Sequence, residues 1–174
     1  YHLGDKERTD AAFAKAATVS RVDFTNNRLV CNYMEPRSAI GEWRDDENRF
    51  VLTTGSQGVH SMQYIVAGVL GVKKNQLRVI TPDVGGGFGT KLFPYREYAL
   101  AAVAARKLKK TVKWTAERAD HFVGDAQGRD NVTTARMALA EDGKFLAMDV
   151  DLIGDMGAYL STFGPYIPHG GAGM

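Results

Sequence analysis

Three adjacent glycines cannot sit stably inside a helix or a strand, and they fix the point from which the rest of this sequence can be read. The segment is Asp83-Val84-Gly85-Gly86-Gly87-Phe88-Gly89-Thr90-Lys91. Glycine loses more conformational freedom on folding than any other residue, and in return permits positive φ and close approach to the main chain. The apolar run from Leu77 to Ile80 before the loop reads as a strand, and Tyr95 to Lys107 after it as a helix. A loop at such a junction can turn its backbone N–H groups toward an anion or an oxo group. Phe88, among the glycines, offers a flat wall against water. The competing reading is a tight strand-to-helix turn that binds nothing.

Spacing excludes two familiar phosphate loops. A Walker A loop needs Gly-Lys-Ser/Thr, and here Thr90 separates Gly89 from Lys91. A dinucleotide fingerprint starting at Gly85 needs Gly or Ala where Thr90 stands. A second junction, Thr53-Thr54-Gly55-Ser56-Gln57-Gly58, also runs from a strand toward a helix. Gln57 there is either a helix-start residue bonding nearby backbone or an amide donor aimed into a site. Two successive strand–loop–helix units can present their loops on one edge of a sheet, where ligands commonly bind in α/β arrangements.

The remaining elements follow from periodicity. Asp5 to Lys15 reads as a helix, Thr18 to Asp23 as a half-buried strand, and Arg28 to Tyr33 as a short extended run. Ser38 to Trp43 and Arg49 to Thr53 form a hairpin across Asp45-Asp46-Glu47-Asn48. Met62, Ile65, Val66, Val69 and Leu70 make one helical stripe closed by Gly71. Val112 to Thr115 is a strand and Glu117 to Phe122 a brief helix. Val132 to Ala140 and Phe145 to Ile153 flank Asp142-Gly143, the clearest hairpin signal in the chain. The fold class is α+β: a mixed β-sheet with two strand–loop–helix units and a long C-terminal hairpin. One domain over residues 1–174 is expected, with a sub-boundary near 115–130.

Charge and composition narrow the partners. With 22 Lys+Arg against 20 Asp+Glu the net charge is +2, too small to imply nucleic acid. The basic run from Arg106 to Lys110 has no interleaved aromatics and reads as a charged helix end. No stretch approaches the about 18 apolar residues of a membrane span. The single cysteine, Cys31, excludes an internal disulfide and a Cys-rich metal site, and reads as a buried thiol in an apolar strand. His2, His60, His121 and His169 lack ligand spacing. Glu35 and Arg37 read as a charge pair, and Arg129 as a loop anchor. The sequence opens on Tyr1 and ends on glycines from Gly170 to Gly173 that form no element, so a fragment of a longer protein is expected.

Several ordered motifs point further. They are Met34-Glu35-Pro36-Arg37, Ser56-Gln57-Gly58, Thr81-Pro82-Asp83-Val84-Gly85-Gly86-Gly87-Phe88-Gly89, Val112-Lys113-Trp114-Thr115-Ala116-Glu117-Arg118, Gly128-Arg129-Asp130 and Gly157-Ala158-Tyr159. Together they resemble the molybdenum-binding large subunit of the xanthine dehydrogenase/aldehyde oxidase family, and its aerobic carbon monoxide dehydrogenase-like branch in particular. The resemblance implies that Gln57 reaches an apical oxo ligand of molybdenum. It implies that Gly86, Gly87, Phe88 and Gly89 pack against the metal and the dithiolene end of a molybdopterin, in its cytosine dinucleotide form. Phe88 is then either a substrate-channel wall or a packing residue.

The resemblance also implies what this stretch lacks. The general-base glutamate lies downstream of Met174, as does the copper-binding cysteine, which Cys31 does not match. The whole protein would be a bacterial, cytoplasmic molybdenum hydroxylase that oxidises carbon monoxide, an aldehyde or a heterocycle with water as oxygen source. Its partners would be the rest of the large subunit and the FAD-binding and [2Fe-2S] subunits. The isolated piece is expected to be inactive, empty of molybdopterin and prone to self-association. The alternative is a stand-alone anion-binding or assembly module of the same fold, without catalysis.

Overall fold

The computed structural model describes residues 1–171, and divides them into two compact units. The first joins the chain's beginning, up to Leu29, to its end, from Gly128 onward; the second is Val30–Gln127.

The first unit is built on a three-stranded antiparallel sheet in the order β1-β6-β7, with β1 at Thr18–Asn26, β6 at Asn131–Leu139 and β7 at Phe145–Gly154. Helix α1 (Lys6–Ala14) begins at Asp5, whose side chain accepts from the Arg8 N–H and caps the first turn. The Asp142-Gly143 turn joins β6 to β7 as its sequence requires, with Gly143 at φ +80°. Strand β1 finds its partner far along the chain: Thr18 faces Leu139 and Asn26 faces Asn131. The strand is not half-buried. Val22 and Phe24 share a face with Val150 and Met148, and all four are exposed. The run from Arg28 to Tyr33 forms no strand; only Leu29 bridges, to Gly128. Arg28, and not Arg129, ties the nearby loops, through Asp130 at 2.5 Å and Asp155 at 3.2 Å. The chain end is not featureless either, since α5 spans Tyr166–Gly171; Ala172 to Met174 lie outside the described residues.

The second unit holds a four-stranded mixed sheet in the order β4-β3-β2-β5, with β2 at Ser38–Arg44, β3 at Arg49–Thr54, β4 at Leu77–Ile80 and β5 at Val112–Thr115. Strands β2 and β3 form the expected hairpin, β5 adds antiparallel to β2, and β4 runs parallel to β3. The parallel step needs a crossover, which α2 (Val59–Leu70) supplies; its end is set by Gly71 in the left-handed conformation. Helix α3 (Arg96–Leu108) packs on β2 through Ala101, Ala102 and Ala105. A Cβ on Gly41 of β2 would lie 2.4 Å from the Ala101 carbonyl oxygen, so helix and sheet touch backbone to backbone. The core joins Phe50, Leu52 and Leu77 of the sheet to Met62, Val66 and Ala67 of α2 and Tyr98 of α3. The last helix of this unit is α4 (Arg118–Gly124). At the end of α3, Arg106 lies over the Trp43 ring and Lys109 pairs with Asp45, as suits a charged helix terminus.

Candidate functional site

Because β3 and β4 are adjacent and parallel, the chain leaves both at the same edge of the sheet. The segment after β3 carries Gly55, Ser56 and Gln57; the segment after β4 carries Thr81 and the glycine loop. Their roots are stapled by hydroxyls. Thr81 Oγ1 donates to the Thr54 carbonyl at 3.0 Å, which spends its one proton, so the 2.8 Å contact with Ser56 is a donation by Ser56 Oγ.

Gln57 is held at two points against the glycine loop. Its backbone N–H donates to the Lys91 carbonyl at 3.2 Å, and its Oε1 accepts from the Gly89 N–H at 2.9 Å. An N–H donor can be met only by the amide oxygen, which fixes the orientation of the side chain. The Nε2 group therefore faces away from Gly89, and it has no protein partner among the described residues. The helix-start reading of Gln57 fails: the backbone it bonds belongs to a loop 32 residues away.

The loop enters the left-handed region at three of its residues. Gly86, Phe88 and Gly89 have φ of +91°, +49° and +92°, the last non-helical residue before a 3₁₀ turn over Thr90–Leu92 being Gly89. A side chain on Gly87 would place Cβ 2.5 Å from Gln57 Oε1, and one on Gly86 would lie 3.2 Å from both the Tyr33 Cβ and the Phe88 ring. The N–H groups of Gly86, Gly87 and Phe88 have no protein acceptor among the described residues. Phe88 is 74% exposed, so it fills no core position. Its carbonyl accepts from Cys31 Sγ at 3.4 Å. Cys31 is thus neither in a strand nor fully buried; it reaches the loop.

Beneath the loop lie charges that the sequence reading did not assemble. Lys91 is only 1% exposed, with Nζ 2.6 Å from Glu35 Oε2 and 4.7 Å from the centre of the Tyr33 ring. The same Glu35 oxygen accepts from the Gly85 N–H at 2.9 Å, and the Glu35 N–H donates to the Gly85 carbonyl at 3.2 Å. Burial pushes the Glu35 carboxyl up, but Lys91 and the Gly85 N–H outweigh this and hold it below the usual glutamate value. Glu35 and Arg37 are therefore not partners. Arg37 is buried against Asp125, Nε to Oδ1 at 2.6 Å, and stacks on the Tyr95 ring at 3.7 Å. The Tyr33 hydroxyl donates to the other oxygen of Asp125. Burial, then this bond to a carboxylate, drives the Tyr33 phenol well above its ordinary value. Arg118 completes the support, donating to the carbonyls of Tyr33 at 2.6 Å and Met34 at 2.8 Å.

The edge thus presents hydrogen-bond donors and bare backbone. Among the described residues no cluster of His, Cys, Asp or Glu is placed to hold a metal ion directly. A cofactor fitting here would have to bring its own metal ligands and offer acceptors, oxo or sulfur, to the Gln57 amide and the loop N–H groups. A molybdopterin-bound molybdenum satisfies that description.

Comparison with known proteins agrees. Residues 1–174 match the family described as a molybdopterin cofactor-binding domain. The chain is 35% identical over 159 residues to the carbon monoxide dehydrogenase large chain of Afipia carboxidovorans, covering 91% of this chain and 20% of that protein. It is 32% identical over 139 residues to indole-3-acetaldehyde oxidase of Arabidopsis thaliana, covering 79% of this chain and 10% of that protein. The solved structure of reconstituted CO dehydrogenase from Oligotropha carboxidovorans matches with a TM-score of 0.79 at 35% identity, over 88% of this chain and 19% of that chain. The chain spans about a fifth of the length of these carbon monoxide dehydrogenase chains. With the family match over residues 1–174 and its relatives in accord, the chain belongs to the molybdopterin cofactor-binding domain family, alongside carbon monoxide dehydrogenase large chains and an aldehyde oxidase.

Proposed function

We propose that this chain is the first part of the cofactor-binding region of a larger molybdopterin-dependent oxidoreductase subunit. Gln57 and the Gly86 to Gly89 loop contact its molybdenum and dithiolene end. The observation that carries this reading is the locked amide of Gln57: Oε1 is taken by Gly89, so Nε2 is left as a free donor beside three free backbone N–H groups. When bound, the cofactor supplies the redox chemistry that oxidises a small molecule, with water as the oxygen source.

The chain's own residues do the holding. Gln57 Nε2 would donate to an oxo ligand of the bound group, as a donor already oriented by the Oε1 bond to Gly89. Gly86 and Gly87 leave the space that a Cβ would fill. Phe88, exposed in this chain, would form part of the substrate-channel wall beside the cofactor. The general base, the pterin's cytosine dinucleotide contacts, and the FAD and [2Fe-2S] partners come from polypeptide outside this sequence. Its substrate belongs to the range its relatives' names span: carbon monoxide, an aldehyde or a heterocycle such as nicotine.

Gln57→Ala in the larger subunit tests the reading. Loss of a single preorganised donor is expected to lower turnover by about 10²-fold with the fold intact. Full molybdenum content together with full activity in that variant would overturn the assignment. The 174-residue chain by itself is expected to hold no stoichiometric molybdenum on metal analysis.

A further inference from the structure

Lys91 stands in a position that neither the glycine turn nor the core requires. An ammonium that is 1% exposed carries a large desolvation penalty unless it is paired, and here it has one carboxylate, Glu35, and one aromatic face, Tyr33. A methionine or leucine would fill the same volume without that penalty. The charge must therefore be read from what it holds.

It holds three segments at once. Lys91 Nζ binds Glu35, and the same carboxylate oxygen binds the Gly85 N–H, so the first glycine of the loop is fixed by the pair. The Lys91 carbonyl receives the Gln57 N–H, and Lys91 follows Gly89 by two residues, so the anchor of the lysine fixes both ends of the Gln57 to Gly89 contact. A Cβ on Gly85 would lie 2.5 Å from the Glu35 Cβ, and one on Gly55 would lie 3.4 Å from Glu35 Oε2 and 3.6 Å from Lys91 Nζ. Gly85 is thus trimmed to admit the Glu35 side chain, while a Cβ on Gly55 would only reach van der Waals contact with the pair.

We infer that Glu35 and Lys91 are positioning residues, a half-buried ion pair that sets the direction of the Gln57 amide and the register of the Gly85 to Gly89 loop. The inference rests on the reading of that edge as the cofactor-facing one. The pair acts through the backbone of Gly85 and Lys91. Its charge gives directional bonds that a hydrocarbon of the same size could not, so the loop keeps one arrangement before any ligand arrives.

Amide hydrogen exchange and ¹⁵N spectra of the full 174-residue chain, with no cofactor added, test the pair directly. In Glu35→Gln and in Lys91→Met, the Gly85 and Gly89 amides are expected to exchange about tenfold faster, and the Gln57 side-chain NH₂ signals to shift. The Leu52 and Ala102 amides in the core are expected to keep their rates. Uniform acceleration of loop and core together would mean that the pair only contributes stability, and would overturn the inference. Unchanged Gly89 and Gln57 signals would overturn it equally. Should Lys91→Met fail to fold, Glu35→Gln decides, because Glu35 is 39% exposed and its amide keeps the shape. None of these readouts uses molybdenum, so they stand or fall separately from the Gln57→Ala test of the cofactor reading.

Discussion

At the scale of single residues, Gly87 shows how little room the site leaves. Its φ is not positive, so the backbone alone would accept alanine; what forbids a side chain is Gln57 Oε1 at 2.5 Å and Cδ at 2.9 Å from the Cβ position. Those atoms end a flexible side chain, so Gly87→Ala should displace the amide and leave the fold standing. We expect a stability change below about 1 kcal/mol by urea titration. The Gly89 N–H, deprived of its acceptor, should lose its exchange protection. Glu35 gives a second residue-scale test. Its carboxyl is held below its unfolded value of about 4.3, so folding favours the ionised form. That stabilisation is complete above the unfolded value and is lost as pH falls through the folded one. The urea midpoint of the native chain should therefore exceed that of Glu35→Gln at pH 7, and the two should converge as the pH falls through the lowered folded-state value. The glycines and Gln57 were legible in the sequence because their residue types are unusual at such a junction. The Glu35–Lys91 pair was not, since nothing local links residues 56 apart and Arg37 stood nearer as a partner.

At the scale of elements, the helices and hairpins could be read because their causes are local. The 3.6-residue stripe, Gly71 and the Asp142-Gly143 turn each act within a few positions. Even so, the buried face of α2 is rotated from that stripe, with Met62, Val66 and Ala67 buried and Val69 exposed. The pairing of β1 with β6 was beyond local reasoning: Asp23 and Thr134 meet across 111 residues. Pattern alone likewise does not say that the strands divide between two sheets. The contact of α3 with β2 does have a sequence signature, in the alanines of Ala99, Ala101, Ala102, Ala104 and Ala105. Their complement is Gly41, and it yields the sharpest prediction about an element. In Gly41→Ala the new methyl meets backbone atoms of Ala101 and Ala102 at 2.4 to 2.7 Å, and backbone cannot step aside as a side chain can. The helix must shift off the sheet, at a cost of about 1–3 kcal/mol. Thermal unfolding should show a lower midpoint, in contrast to the near-neutral Gly87→Ala.

At the scale of the molecule, the two units differ in what they contain. Every residue of the candidate site lies in the second: Gln57, the glycine loop, the Glu35–Lys91 pair, and the Tyr33, Arg37 and Asp125 network behind it. The core cluster from Ala39 to Ala102 lies there as well. The chain enters this unit after Leu29 and leaves it before Gly128, and those two residues bridge each other within the first unit. Cutting at both points severs the chain where its ends are adjacent, and removes none of the hydrogen-bond or ion-pair partners named above for the site. A segment of residues 30–127 has a closed core of sheet and two helices, within the size range in which single domains fold cooperatively. Its sheet ends on β4 and β5, four residues each, which gives the free edges little length for pairing with other chains. Residues 30–127 expressed alone should therefore fold in one cooperative urea transition. Their ¹⁵N spectrum should superpose on that of the full chain at Gly85, Gly89 and the Gln57 side chain. A spectrum of unfolded dispersion, or shifted Gly85 and Gly89 signals in a folded segment, would mean that the first unit helps to shape the site. With superposition, the donor edge is built by the second unit's own sheet, from the stapled roots of two parallel strands and one half-buried ion pair.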